Sequence, residues 1–102
     1  MKKIIAVVRS LDLEKAEESL KGIGVEGITA IKAKGYGEYR DFFSKEWVVD
    51  NIKIEIVASN DRVERIVETL METLHTGYSG DGIITVSPLD EFIKIRTKER
   101  IR

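Results

Sequence analysis

The sequence predicts an α+β fold of the ferredoxin-like kind, a βαββαβ antiparallel sheet with two helices on one face and a short C-terminal strand. Two observations predict it. Short runs rich in β-branched residues are separated by two stretches whose apolar residues recur at helical spacing. Glycines stand where these elements end.

The first run, Lys3 to Val8, contains Ile4-Ile5-Ala6-Val7-Val8 and is too short for a helix. Asp12 is placed to cap a helix that carries Leu13, Ala16, Leu20 and Ile23 on one face, and Gly22 and Gly24 end it. Ile28 to Lys34 reads as the second strand, closed by Gly35 and Gly37. Glu38 to Glu46 has no clean period and reads as an exposed loop. Trp47 to Ala58 is the third strand, with Ile52, Ile54 and Ile56 alternating against Lys53 and Glu55. Asp61 and Glu64 have the spacing of a capping box. The helix that follows has the clearest period in the chain, through Val63, Ile66, Val67, Leu70, Met71 and Leu74, with Gly77 as its C-terminal cap. After the Thr76–Gly82 loop, Ile83 to Val86 is the fourth strand, Pro88 breaks the chain, and Phe92 to Arg96 is a short fifth strand. Helices on one face leave the other sheet face and the outer strands to be covered by oligomerising.

Composition narrows the function. At 102 residues the chain reads as a single domain spanning 1–102. A net charge of −1 argues against a dedicated nucleic-acid binder. With no cysteine, disulfides, thiolate nucleophiles and cysteine-based zinc sites are excluded, and one histidine argues against a metal site. No apolar run reaches membrane-spanning length. Met1-Lys2-Lys3-Ile4 begins like a signal peptide, but Arg9 interrupts the apolar run, and a cytoplasmic strand is expected.

Three separated signatures point to an anion. Lys34-Gly35-Tyr36-Gly37 and Thr76-Gly77-Tyr78-Ser79-Gly80-Asp81-Gly82 are glycine-rich stretches whose N–H groups can turn toward a phosphate. Phe92-Ile93-Lys94-Ile95-Arg96-Thr97 alternates apolar and cationic residues, which on a strand puts Lys94 and Arg96 on one side. Taken singly, each glycine stretch also fits an ordinary turn, and the two cations fit a solvated edge. Asp81 reads as a loop brace rather than a catalytic acid, and His75 as a favourable charge at a helix C-terminus.

These residues carry a resemblance over nearly the whole chain. Met1-Lys2-Lys3-Ile4, Gly27-Ile28-Thr29, Lys34-Gly35-Tyr36-Gly37, Val48-Val49-Asp50, Lys53-Ile54-Glu55-Ile56-Val57, Thr76-Gly77 with Gly80-Asp81-Gly82, and Ile95-Arg96-Thr97 follow in order. Together they resemble the PII signal-transduction family of nitrogen regulators, here a divergent PII-like member with a shortened signalling loop. The resemblance implies a homotrimer that binds an adenine nucleotide (ADP, AMP or ATP) in the clefts between subunits. It implies that Thr29 and Val57 line the adenine pocket with Val7 beneath, that Gly35, Tyr36 and Gly37 follow the ribose and phosphates, and that Thr76, Gly80, Asp81 and Gly82 cradle the phosphates. Lys94 and Arg96 are implied to bring charge from a neighbouring subunit. The loop 38–46 is implied to carry the signal to a transporter or metabolic enzyme; its aromatic density makes Tyr39, Arg40, Phe42 and Phe43 the candidate contacts.

The sequence departs from the family's common pattern in a consistent direction. Tyr39 stands where a glutamine helps hold magnesium and 2-oxoglutarate, Asn51 and Ile83 stand where lysines are usual, and Lys94 replaces an arginine and loses its fork. Fewer cations favour ADP or AMP over ATP, and magnesium and 2-oxoglutarate lose their usual contacts. A non-catalytic regulator is therefore expected. The alternatives are a trimeric, CutA-like ion-binding or structural protein and, with no nucleophile–base pair to support it, a small phosphatase.

Overall fold

The computed structural model describes residues 1–35 and 49–102, with Val49 described for its backbone alone. The elements run β1 (Lys2–Arg9), α1 (Leu13–Gly22), β2 (Thr29–Gly35), β3 (Val49–Ala58), α2 (Val63–Leu74), β4 (Ile83–Pro88), β5 (Phe92–Ile93) and β6 (Arg100–Ile101). The first four strands form one antiparallel sheet in the order β2-β3-β1-β4, the ferredoxin-like arrangement.

Register explains the core. Ile4, Ala6 and Val8 of β1 stand opposite Ile56, Ile54 and Ile52 of β3, so the even-numbered residues of both strands share the helix-side face. There they pack with Ala16 and Leu20 of α1 and with Val63, Ile66, Leu70 and Leu74 of α2, all buried. Met71, expected on the apolar face, is 51% exposed. It faces a groove of about 600 Å³ between α2 and β4, shared with Val67, Ile84 and Val86.

Four local expectations are corrected. Asp12 does not cap α1: its backbone is already helical (φ −90°, ψ −3°) after a 3-10 turn at Ser10–Asp12, and its side chain meets Arg9 instead. The Asp61–Glu64 capping box does not form, for α2 likewise follows a 3-10 turn, Asn60–Arg62, and makes no side-chain cap. His75, not Gly77, is the C-terminal capping residue of α2. The expected strand Phe92–Arg96 stops at Ile93, where the chain turns into a hairpin with β6; Lys98 N–H donates to the Lys94 carbonyl at 2.8 Å and Lys94 N–H to the Glu99 carbonyl at 3.0 Å. Lys94 and Arg96 therefore do not share a strand face. With β6 as its partner, β5 lacks the long neighbour that would extend it. Pro88, expected as a break, is the last residue of β4, an edge strand that tolerates a missing N–H.

Candidate functional site

The loop from His75 to Gly82 joins α2 to the sheet edge, and its shape is organised by one carboxylate. Asp81 accepts hydrogen bonds from the Thr76 N–H at 2.8 Å, the Gly77 N–H at 2.9 Å and the Thr76 hydroxyl. The Thr76 oxygen in turn accepts from the Tyr78 N–H at 3.2 Å. Gly77, Gly80 and Gly82 all have positive φ, which lets the backbone curl around the carboxylate. At Gly82 (φ +111°) a Cβ would lie 2.0 Å from the Val7 carbonyl oxygen, so the loop backbone is pressed directly onto β1.

From outside the loop, Arg9 at the end of β1 donates to Asp81 at 2.8 Å and to Asp12 at 3.4 Å. The His75 ring lies 3.7 Å from the same aspartate. Burial opposes the charge on Asp81, but the Thr76, Gly77 and Arg9 hydrogen bonds outweigh it and hold the carboxyl well below its ordinary range. Burial likewise opposes the charge on Arg9, and the hydrogen bonds and charges of Asp81 and Asp12 together outweigh it, raising the guanidinium above its ordinary value. In the sequence Arg9 stands out merely as the residue that interrupts an apolar run. The available signal was a single cation ending a strand next to an acidic turn.

The open face of the sheet, opposite the helices, collects several expected residues. Val7, Thr29 and Val57 share it, since Val7 stands opposite Lys53, Thr29 opposite Glu55 and Val57 opposite Lys3. Ile31 (49% exposed), Val57 (38%) and Ile83 (38%) leave that face apolar, with the Lys53–Glu55 ion pair at 3.2 Å among them. Gly35 ends β2 opposite Val49, at the same end of the sheet as Arg9 and Ile83. Gly35 and Gly82 nevertheless belong to opposite edges: three strand spacings, roughly 14 Å, separate β2 from β4. The hairpin with Lys94 and Arg96 follows the other end of β4, whose six residues span roughly 17 Å. Tyr36, Gly37, Tyr39, Arg40, Phe42 and Phe43 lie outside the described residues.

The groove beside α2 reaches Asp81 and Gly82 from the helix side and is lined mainly by apolar groups, so the polar chemistry belongs to the loop rather than to it. Among the described residues no group of three or more histidines and carboxylates is placed to hold a metal, and no helix is long and apolar enough to cross a membrane.

The family model described as nitrogen regulatory protein P-II matches residues 1–99. The chain is similar to the nitrogen regulatory protein P-II of Azospirillum brasilense, with 39% identity covering 98% of this chain and 96% of that protein. It is similar also to the proteins of that name from Bradyrhizobium diazoefficiens, at 40% identity over 97% of this chain and 95% of the relative, and from Pyropia yezoensis, at 39% with the same coverage.

Proposed function

Since the chain belongs to the nitrogen regulatory protein P-II family, we propose that it is a non-catalytic, cytoplasmic signal-transduction protein that binds an adenine nucleotide between the subunits of a homotrimer. Nucleotide occupancy biases the loop 38–46, which binds or releases a transporter or a metabolic enzyme. The nucleotide must then have different affinities for the two states of that loop.

The observation that carries this reading is the placement of the glycine segments. Gly35 and Gly82 lie at the same end of the sheet but on opposite edges, too far apart for one phosphate group to meet both in one subunit. A neighbouring copy that brings its β2 edge to this β4 edge makes them one site, and the apolar open face supplies surface to bury in doing so. In this reading Thr76 and Asp81 shape the loop from within, because their side chains bind each other and the Gly77 and Tyr78 amides, while the backbone around Gly80 and Gly82 approaches the phosphates. Val7, Thr29 and Val57 support the adenine end; Lys94 and Arg96 add charge from the adjoining subunit. Tyr39, Arg40, Phe42 and Phe43 are assigned to the target.

The preference among nucleotides follows from the missing cations. Ile83 offers an apolar side chain beside the loop, and Asn51 is 2% exposed, so neither replaces a lysine. ADP and AMP are expected to bind within about tenfold of ATP, each absent contact to a charged group corresponding to ~1.5 kcal/mol or more. Calorimetric titration with ATP, ADP and AMP, with and without magnesium and 2-oxoglutarate, tests this. Micromolar binding that 2-oxoglutarate leaves unchanged is the expected result. If no adenine nucleotide binds, the reading fails.

A further inference from the structure

We infer that Arg9 is a positioning residue for the nucleotide loop, acting through Asp81 rather than on the nucleotide itself. The inference rests on the nucleotide-binding reading above. Three of the four hydrogen bonds to the Asp81 carboxylate come from Thr76 and Gly77, within five residues of it, and travel with the loop wherever it goes. The fourth, from Arg9, spans 72 residues and ties the loop to β1. Arg9 also reaches Asp12 at the entrance to α1, so one guanidinium joins the glycine loop, the end of β1 and the first helix.

The geometry gives that tie a purpose. Gly80 and Gly82 flank Asp81 with positive φ and no side chain to restrict them. The close approach of Gly82 to the Val7 carbonyl holds the loop where it joins β4. Asp81, between the two glycines, is the point at which a side-chain tie to β1 adds a second restraint. Among the described residues that restraint is Arg9. Its side chain is 21% exposed and that of Asp81 23%, so the pair is shielded enough to hold a defined geometry.

Charge separates this role from direct phosphate binding. Arg9 lies between Asp12 and Asp81, two carboxylates for one guanidinium, so the cluster presents no net positive charge to an incoming phosphate. The two cases separate in the protein without nucleotide. If Arg9 positions the loop, removing its guanidinium speeds exchange of the loop amides before any nucleotide is added, and weakens binding as a consequence. If Arg9 contacts phosphate alone, binding weakens and exchange in the empty protein does not change.

The test uses full-length protein with Arg9→Gln, Arg9→Lys, Asp81→Asn, the Arg9→Gln/Asp81→Asn double variant, and Asp12→Asn. Two quantities are read: ADP and adenosine affinity by calorimetry, and exchange of the Thr76, Gly77 and Tyr78 amide hydrogens without nucleotide. Arg9→Gln and Asp81→Asn are each expected to weaken ADP about tenfold and speed amide exchange similarly, as loss of a hydrogen bond to a charged group does. The double variant is expected to be no worse than the poorer single one, the mark of two residues acting as a unit. Arg9→Lys recovers part of both effects, Asp12→Asn stays within about twofold of the parent, and adenosine affinity does not change. Tighter ADP binding by Asp81→Asn, or unchanged exchange in Arg9→Gln, overturns the inference. If the parent protein binds no adenine nucleotide, the family-based reading fails, and the exchange rates alone decide whether Arg9 orders the loop.

Discussion

Gly82 and Asp81 are neighbours with different physical duties, and each yields its own prediction. Gly82 combines a positive φ with a backbone contact that leaves no room for a methyl group. Gly82→Ala is therefore expected to destabilise the fold by about 2 kcal/mol or more, from strain and the displaced β1 carbonyl together, measured as a lower urea midpoint. Asp81 acts through its charge. Its folded carboxyl titrates below the ordinary range, so its contribution is fully present at neutral pH and is lost as pH falls through and below about 4. Urea midpoints measured between about pH 6 and 3 are expected to fall more steeply in the parent than in Asp81→Asn; equal slopes would show that the brace adds nothing to stability. Gly77, Gly80 and Gly82 were visible in the sequence as loop glycines because glycine is the residue that serves at positive φ. That Asp81 binds Arg9 was not visible, because a pair 72 residues apart leaves no local pattern.

At the scale of elements, periodicity identified both helices, but period alone does not say how far the covered stripe extends. Leu70 and Met71 are adjacent on α2 and both fall within its apolar pattern. Both border the groove beside β4, but Leu70 is fully buried in the core, whereas Met71 is 51% exposed. Leu70→Ala is expected to cost about 2–5 kcal/mol and Met71→Ala less than about 1 kcal/mol, compared by chemical denaturation. Similar costs would mean that the groove is filled in solution. The two capping expectations failed for one reason: each helix is entered through a 3-10 turn, so the residue at the cap already has helical dihedrals and its side chain cannot reach back in the usual way. The alternation of Phe92 to Arg96 misled for another reason. Alternation suits a strand, but a strand also needs a partner along its length, and beyond Ile93 the chain bends back to make its own.

For the molecule as a whole, the arrangement is lopsided: both helices cover one face of the sheet, and the other carries Ile31, Val57 and Ile83 partly in water. Under the proposed assembly these residues become buried between copies. Ile31→Asp is expected to weaken self-association by about tenfold or more, read by sedimentation, and to lower nucleotide affinity with it, since the site needs two subunits. An unchanged sedimentation profile with unchanged binding would place the interface elsewhere.

The sequence by itself determined the class of fold, the order of the elements in the main sheet, the buried stripe of each helix and the glycine loops. All of these depend on local periodicity or on backbone freedom that a single residue type supplies. The tertiary structure alone decided which edge each glycine segment occupies, that Thr29, Val57 and Val7 share the open face, that Arg9 joins Asp81, and that Lys94 and Arg96 sit in a turn. Those facts arise from strand pairing and long-range charge contacts, whose energies depend on partners remote in the chain, so no local stretch of sequence encodes them.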